Sequence, residues 1–80
     1  MSTSIAPPVV DIRQLGACAE RKALVLASFD ALARGESLIV VNDHLPHGLR
    51  VHFDEQRPGL FSWSSLEEGP HTFRIQIERL

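Results

Sequence analysis

The period of hydrophobic and polar positions changes several times along the chain, and each change marks an element. Leu38-Ile39-Val40-Val41 is an unbroken apolar run, mostly β-branched, and reads as a strand buried on both faces. Over residues 71–79, Phe73, Ile75 and Ile77 alternate with Thr72, Arg74, Gln76 and Glu78. That period of two predicts a strand with one buried and one wet face. Residues 60–66 alternate apolar and small polar side chains and predict a further strand, joined to the last by the turn Glu67-Glu68-Gly69-Pro70. Near the start, Val9, Val10 and Ile12 predict a short strand, with Asp11 and Arg13 as polar interruptions.

Between these runs the spacing becomes helical. Val25, Phe29 and Leu32 fall at i, i+4 and i+7, with Leu26 and Ala33 beside them, so residues 20–34 predict a first helix after a loop over 14–19. Glu20 in its first turn and Arg34 in its last suit the helix dipole, and Gly35 is a natural residue to follow its end. Leu45, Leu49 and Phe53 give a narrow apolar stripe, and Pro46 suits a first helical position, so residues 46–56 predict a second helix. Leu45 offers no acceptor at the N-cap, which makes Asp43 the candidate cap. Gly48 weakens this helix and Arg57-Pro58-Gly59 ends it.

The order is therefore βαβαββ. The βαβ unit implies parallel first and second strands with a right-handed crossover, and the last two strands form an antiparallel hairpin. Two helices can cover only one face of a four-stranded mixed sheet, which predicts a two-layer α/β sandwich. Residues 9–80 make one domain, preceded by a flexible tail over 1–8 that closes on Pro7-Pro8. The open face of the sheet carries Arg74, Gln76 and Glu78. Its charge favours a monomer or a weak dimer.

Composition narrows the function classes. A formal charge of −2 gives no electrostatic footprint for nucleic acid or an anionic membrane. No apolar run is long enough to span a bilayer, and the one cysteine cannot form an internal disulfide, so a reducing cytoplasm is the expected location.

Parallel first and second strands end on one edge, and both helices start there. That edge collects Arg13, Cys18, Glu20, Arg21, Asn42, Asp43 and His44. Helix starts present unpaired N–H groups and favour anions. Arg13, Glu20, Arg21, Asn42, Asp43 and His44 are thus the candidate binding residues, and a helix-start thiol makes Cys18 a candidate nucleophile. Plainer roles compete: Cys18 as a small inert residue, Asn42 and Asp43 as turn and cap, Trp63 as packing. His44 and His47 lack a third ligand, so no metal is assigned, and Ser64-Ser65 has no triad partners. Nothing calls for a cofactor.

The pattern Asp11-Ile12-Arg13, Cys18-Ala19-Glu20, Gly35-Glu36 and Asn42-Asp43 resembles the TusA/SirA-like family of small bacterial domains. Val41-Asn42-Asp43-His44, Arg57-Pro58-Gly59, Phe61-Ser62-Trp63 and Leu66-Glu67-Glu68-Gly69-Pro70 are similar to an uncharacterised branch of it, whose members occur alone, in tandem, or joined to hemerythrin-type domains. The resemblance implies the same βαβαββ sandwich. Family members of known activity carry sulfur as a cysteine persulfide at a Cys-Pro-x-Pro helix start. Cys18 falls at that position, with Ala19, Glu20 and Arg21 replacing the rest of the motif, and Leu45 stands where the branch tends to have an acidic residue.

Three functions follow as expectations. The first is a non-enzymatic binding or regulatory module that holds a protein partner or a small anion at the helix-start edge. The second is a sulfur carrier with its persulfide on Cys18. The third is a metal- or redox-linked partner of a hemerythrin-type protein, using His44 and His47.

Overall fold

A computed structural model describes residues 6–80; residues 1–5 of the expected tail lie outside the described residues. Six elements run in the order β1 (Val9–Asp11), α1 (Cys18–Asp30), β2 (Ser37–Asn42), α2 (His47–Gln56), β3 (Phe61–Glu68) and β4 (Phe73–Arg79). They form the two-layer α/β sandwich that the βαβαββ pattern predicts. The sheet order is β1-β2-β4-β3. β1 pairs parallel with β2, whereas β4 pairs antiparallel with both β2 and β3. Pro8 is already tied to the sheet, since its carbonyl accepts the Ile39 N–H at 2.9 Å.

Alternation decides which side chains enter the core. Leu38 and Val40 of β2 stand opposite Ile77 and Ile75 of β4, and all four are buried. Val25 and Phe29 from α1 and Leu49 and Phe53 from α2 close over them. Phe53 is the aromatic hub, with edge-on contacts to Phe29 at 5.2 Å, Phe61 at 5.4 Å and Trp63 at 6.2 Å between centroids. Trp63 therefore packs against the core, as its place in an alternating strand implies. On the open face Gln76 donates to the Ser37 hydroxyl at 2.9 Å, and Arg74 lies opposite Val41.

Several boundaries differ from the sequence pattern. α1 starts at Cys18, two residues before the expected Glu20, and ends at Asp30 rather than Arg34. The chain leaves the helix because Leu32 is buried in the core while the Asp30 and Leu32 carbonyls both accept from Arg79 Nη1 at 2.8 Å. Arg34 thus lies beyond the last turn and Ala33 is exposed. Gly35 serves not that helix end but a later turn at φ +85°, where its N–H reaches the Arg79 carbonyl at 2.7 Å. α2 starts at His47, with Pro46 at the N-cap and no side chain capping it. Asp43 does not cap, because its carboxylate faces His44 and Arg21. Leu45 is 57% exposed, so the buried stripe of α2 begins at Leu49.

β3 extends two residues past the expected end at Leu66. An extra residue, Leu66, bulges between the Ser65–Ile75 and Glu67–Arg74 pairs and shifts the register of the last residues by one. β4 begins at Phe73 because Gly69 turns the chain at φ +83°. A Cβ at Gly69 would lie 2.9 Å from Phe73 Cζ, so both the backbone and the space require glycine there.

Candidate functional site

The end of β2 supplies the site's foundation. Asn42 closes a buried strand and is itself only 2% exposed. Its Oδ1 accepts from Arg21 Nη1 and from the Asp43 N–H, each at 2.9 Å. Both donors are N–H groups, so the oxygen of the amide must face them. The amide nitrogen has no hydrogen-bond partner among the described residues.

Arg21 is the staple of this edge. Its Nε donates to the Leu15 carbonyl at 2.7 Å, Nη1 also reaches Asp43 Oδ1 at 3.4 Å, and Nη2 reaches the Arg13 carbonyl at 3.5 Å. One side chain of α1 thereby fixes the β1–α1 loop and the β2–α2 loop together. It is 14% exposed. Its donors point into the protein's own acceptors, and it holds the edge together.

Asp43 accepts from His44 Nδ1 at 2.8 Å. That hydrogen bond first, and Arg21 second, hold the Asp43 carboxyl below its ordinary value. An ionised carboxylate only accepts, so the imidazole proton lies on Nδ1 and Nε2 is left to solvent. Arg13 turns the other way: its Nε and Nη2 clasp Asp11 at 3.0 and 2.7 Å. Those bonds draw the Asp11 carboxyl down to about 2.

Above Asn42, between the starts of α1 and α2, lies a cavity of about 140 Å³. It is lined by Ile12, Cys18, Arg21, Lys22, Asn42, His44, Pro46, Gly48 and Leu49. Of the seven residues expected at this edge, four (Cys18, Arg21, Asn42 and His44) line the cavity. Asp43 supports it from behind. The Arg13 side chain is committed to Asp11, and only its carbonyl takes part. Glu20 sits exposed in the first turn of α1 and does not line the cavity.

Five lining residues were not among those expected: the apolar Ile12, Pro46 and Leu49, and Lys22 and Gly48. Lys22 follows Cys18 by four positions, so the two share a helix face, and that spacing was the available signal. Its ammonium has no ion-pair partner among the described residues. Gly48 lies under it, with a Cβ position 3.6 Å from Lys22 Cε and 3.7 Å from Nζ. Neither helix start has a side-chain cap. A missing cap forgoes about 1 kcal/mol per helix, and it leaves first-turn N–H groups available to a ligand.

His47 lies outside the cavity. It lines a neighbouring hollow with Leu45, Arg50 and Trp63, and only Pro46 borders both. Among the described residues no three His, Cys, Asp or Glu side chains are grouped to hold a metal ion. A second hollow at the opposite end, bounded by Pro7, Pro8 and Leu32, contains one ionisable side chain, Glu36, whose Oε1 accepts the Ala33 N–H. Of the three hollows, the one between the helix starts is lined by both Lys22 and Asn42, whose ammonium and amide nitrogen have no partner among the described residues.

No helix is long and apolar enough to cross a membrane among the described residues. No curated protein and no solved structure matches the chain. A family model does match, over residues 9–79, which is nearly the whole sandwich including Arg21, Asn42 and every other lining residue of the cavity: the chain belongs to the family described as uncharacterized conserved protein (DUF2249).

Proposed function

We propose that this domain is a non-enzymatic binding module whose working part is the cavity between the starts of α1 and α2, and that its occupant carries an acidic group. One observation carries the reading. Two donors without partners among the described residues, Lys22 Nζ and the Asn42 amide nitrogen, belong to residues that line one cavity, while Asp43 is tied to His44 and Arg21, Asp11 to Arg13, and Glu20 does not line it. Two uncapped helix starts add their dipoles to the same place.

The test is a titration of the ¹⁵N-labelled protein with a panel of organic and inorganic anions, followed by amide shifts. The expected result is saturable shifts confined to Cys18–Lys22, Asn42 and Gly48–Arg50, absent in Lys22→Met. Shifts that spread evenly over the surface, or none, would overturn it.

Sulfur carriage on Cys18 is a second reading, favoured by the thiol's place at the first residue of α1, exposed and on the cavity wall. In it, the Cys18 thiolate attacks the outer sulfur of a donor persulfide. Cys18 becomes the persulfide and the donor leaves as a thiol. Intact mass after incubation with a persulfide donor would show a gain of one sulfur, lost in Cys18→Ser; an unchanged mass excludes it.

A further inference from the structure

Resting on the binding reading above, we infer that the occupant is a small aliphatic monocarboxylate. The carboxylate would meet Asn42 Nδ2 and Lys22 Nζ, and the short hydrocarbon body would rest against Ile12, Leu49 and Pro46. Four features of the cavity lead there.

The first is the amide. Asn42 is 2% exposed, and its oxygen is fully used by Arg21 and Asp43. The nitrogen has no hydrogen-bond partner among the described residues and is not sealed from solvent, so on a residue that lines the cavity it is a donor free to meet an acceptor. It cannot rotate to exchange its ends, because Arg21 and the Asp43 N–H would then face N–H groups.

The second is charge. Arg21 and Lys22 both line the cavity, but Arg21 is matched by Asp43 at 3.4 Å. One ammonium remains, and one unmatched positive charge suits a monoanion. The third is the opposite wall. The side chains of Ile12, Leu49 and Pro46 are buried and carry no donor, and Pro46 has no N–H. A tetrahedral dianion would press at least one charged oxygen onto that hydrocarbon.

The fourth is size. The hollow is open to solvent, and its volume of about 140 Å³, close to the roughly 150 Å³ that accepts benzene, can bury about six non-hydrogen atoms. Propionate, butyrate and isobutyrate fall in that range.

Four probes separate the possibilities when titrated into the ¹⁵N-labelled protein: butyrate, its neutral isostere butyramide, inorganic phosphate and sulfate. Butyrate should shift the Lys22, Asn42 and Gly48 signals saturably, with the other three at least tenfold weaker. Asn42→Asp keeps the acceptor that Arg21 and Asp43 need and turns the free donor into an anionic oxygen. It should abolish butyrate binding, and Lys22→Met should weaken it at least tenfold. Arg13→Gln, outside the cavity, should bind as the parent does. Phosphate or sulfate binding as tightly as butyrate at these signals would overturn the ligand class and leave the binding reading intact. Equal binding of butyramide would overturn the role of charge. Failure of all four to move these signals would overturn both the ligand class and the binding reading, unless other anions of the wider panel move them, in which case the ligand class alone falls.

Discussion

The two ends of the sheet each thread one arginine between loops, and they do opposite things with it. At the far end Arg79 donates to the Asp30 and Leu32 carbonyls, its own backbone pairs with Gly35 and Glu36, and Arg57 clasps the Asp30 carboxylate. Carbonyls that the end of α1 leaves open are answered by the protein's own side chain. At the near end Arg21 ties two loops together, but a guanidinium only donates and so cannot answer a helix N–H. Both helix starts stay uncapped, Lys22 has no ion-pair partner among the described residues and a cavity remains. Every helix end carries unsatisfied backbone groups, and a fold can answer them internally or leave them to a ligand. Here the C-terminal groups of α1 are closed and the N-terminal groups of α1 and α2 are open.

The contrast is broken most severely by removing the far arginine. Arg79→Met leaves two carbonyls without their partner and loses the guanidinium stacked 5.9 Å from the Phe29 ring centre. It should cost about 2–3 kcal/mol in urea denaturation while leaving anion binding unchanged, since hydrogen bonds from a charged donor are worth about 1.5–3 kcal/mol. Binding lost together with stability would show that the two ends are not independent.

Arg21→Met should cost about 2 kcal/mol for the same reason, and here binding should fall as well, because Asn42 and both loops lose their staple. Denaturation and the butyrate titration on one sample check both parts.

Gly48→Ala should act in the opposite direction on stability. Alanine in α2 gains about 0.5–1 kcal/mol over glycine, and its Cβ meets Lys22 at ordinary contact distances. The same methyl narrows the cavity, so a higher melting temperature should come with weaker butyrate binding.

The pH dependence sharpens the comparison last. Asp30 at the far end is held below the ordinary 3.8 by its hydrogen bonds to Arg57, and Asp43 at the near end by His44 and then Arg21. A carboxyl whose folded value is depressed stabilises the fold above its unfolded value, and that contribution disappears as pH falls through the folded value. The urea midpoint should therefore fall as pH drops below 3.8 toward 2, with Asp11, drawn down to about 2, the last to protonate. Asp30→Asn should lower the midpoint at neutral pH and flatten the acid limb; an unchanged acid limb would show that the Arg57 pair contributes nothing.

Much of the fold was legible along the chain. Period-two alternation in β4, the apolar run of β2 and the spacing of Val25, Phe29, Leu49 and Phe53 are local patterns with one compatible geometry. The helix ends were less legible. The end of α1 is decided by Arg79, which is 49 residues from Asp30 in sequence. The site was legible as an edge, because parallel strands and their crossover put both helix starts together. Its inner arrangement was not: Arg13 and Arg21 look alike in sequence, yet one clasps Asp11 and the other reaches Asn42.

By itself, then, the sequence determined the order of elements, the layer that each apolar stripe faces and the edge where polar groups gather, because those depend on side-chain period and chain connectivity. Only the tertiary structure decided which of those polar groups are engaged and which are free. A side chain's partner is set by which loop or strand end folding brings within about 3 Å of its polar atoms. Asn42 shows both halves of this: its position at the end of a buried strand follows from the run before it, and its unengaged amide nitrogen follows from Arg21, a helix away.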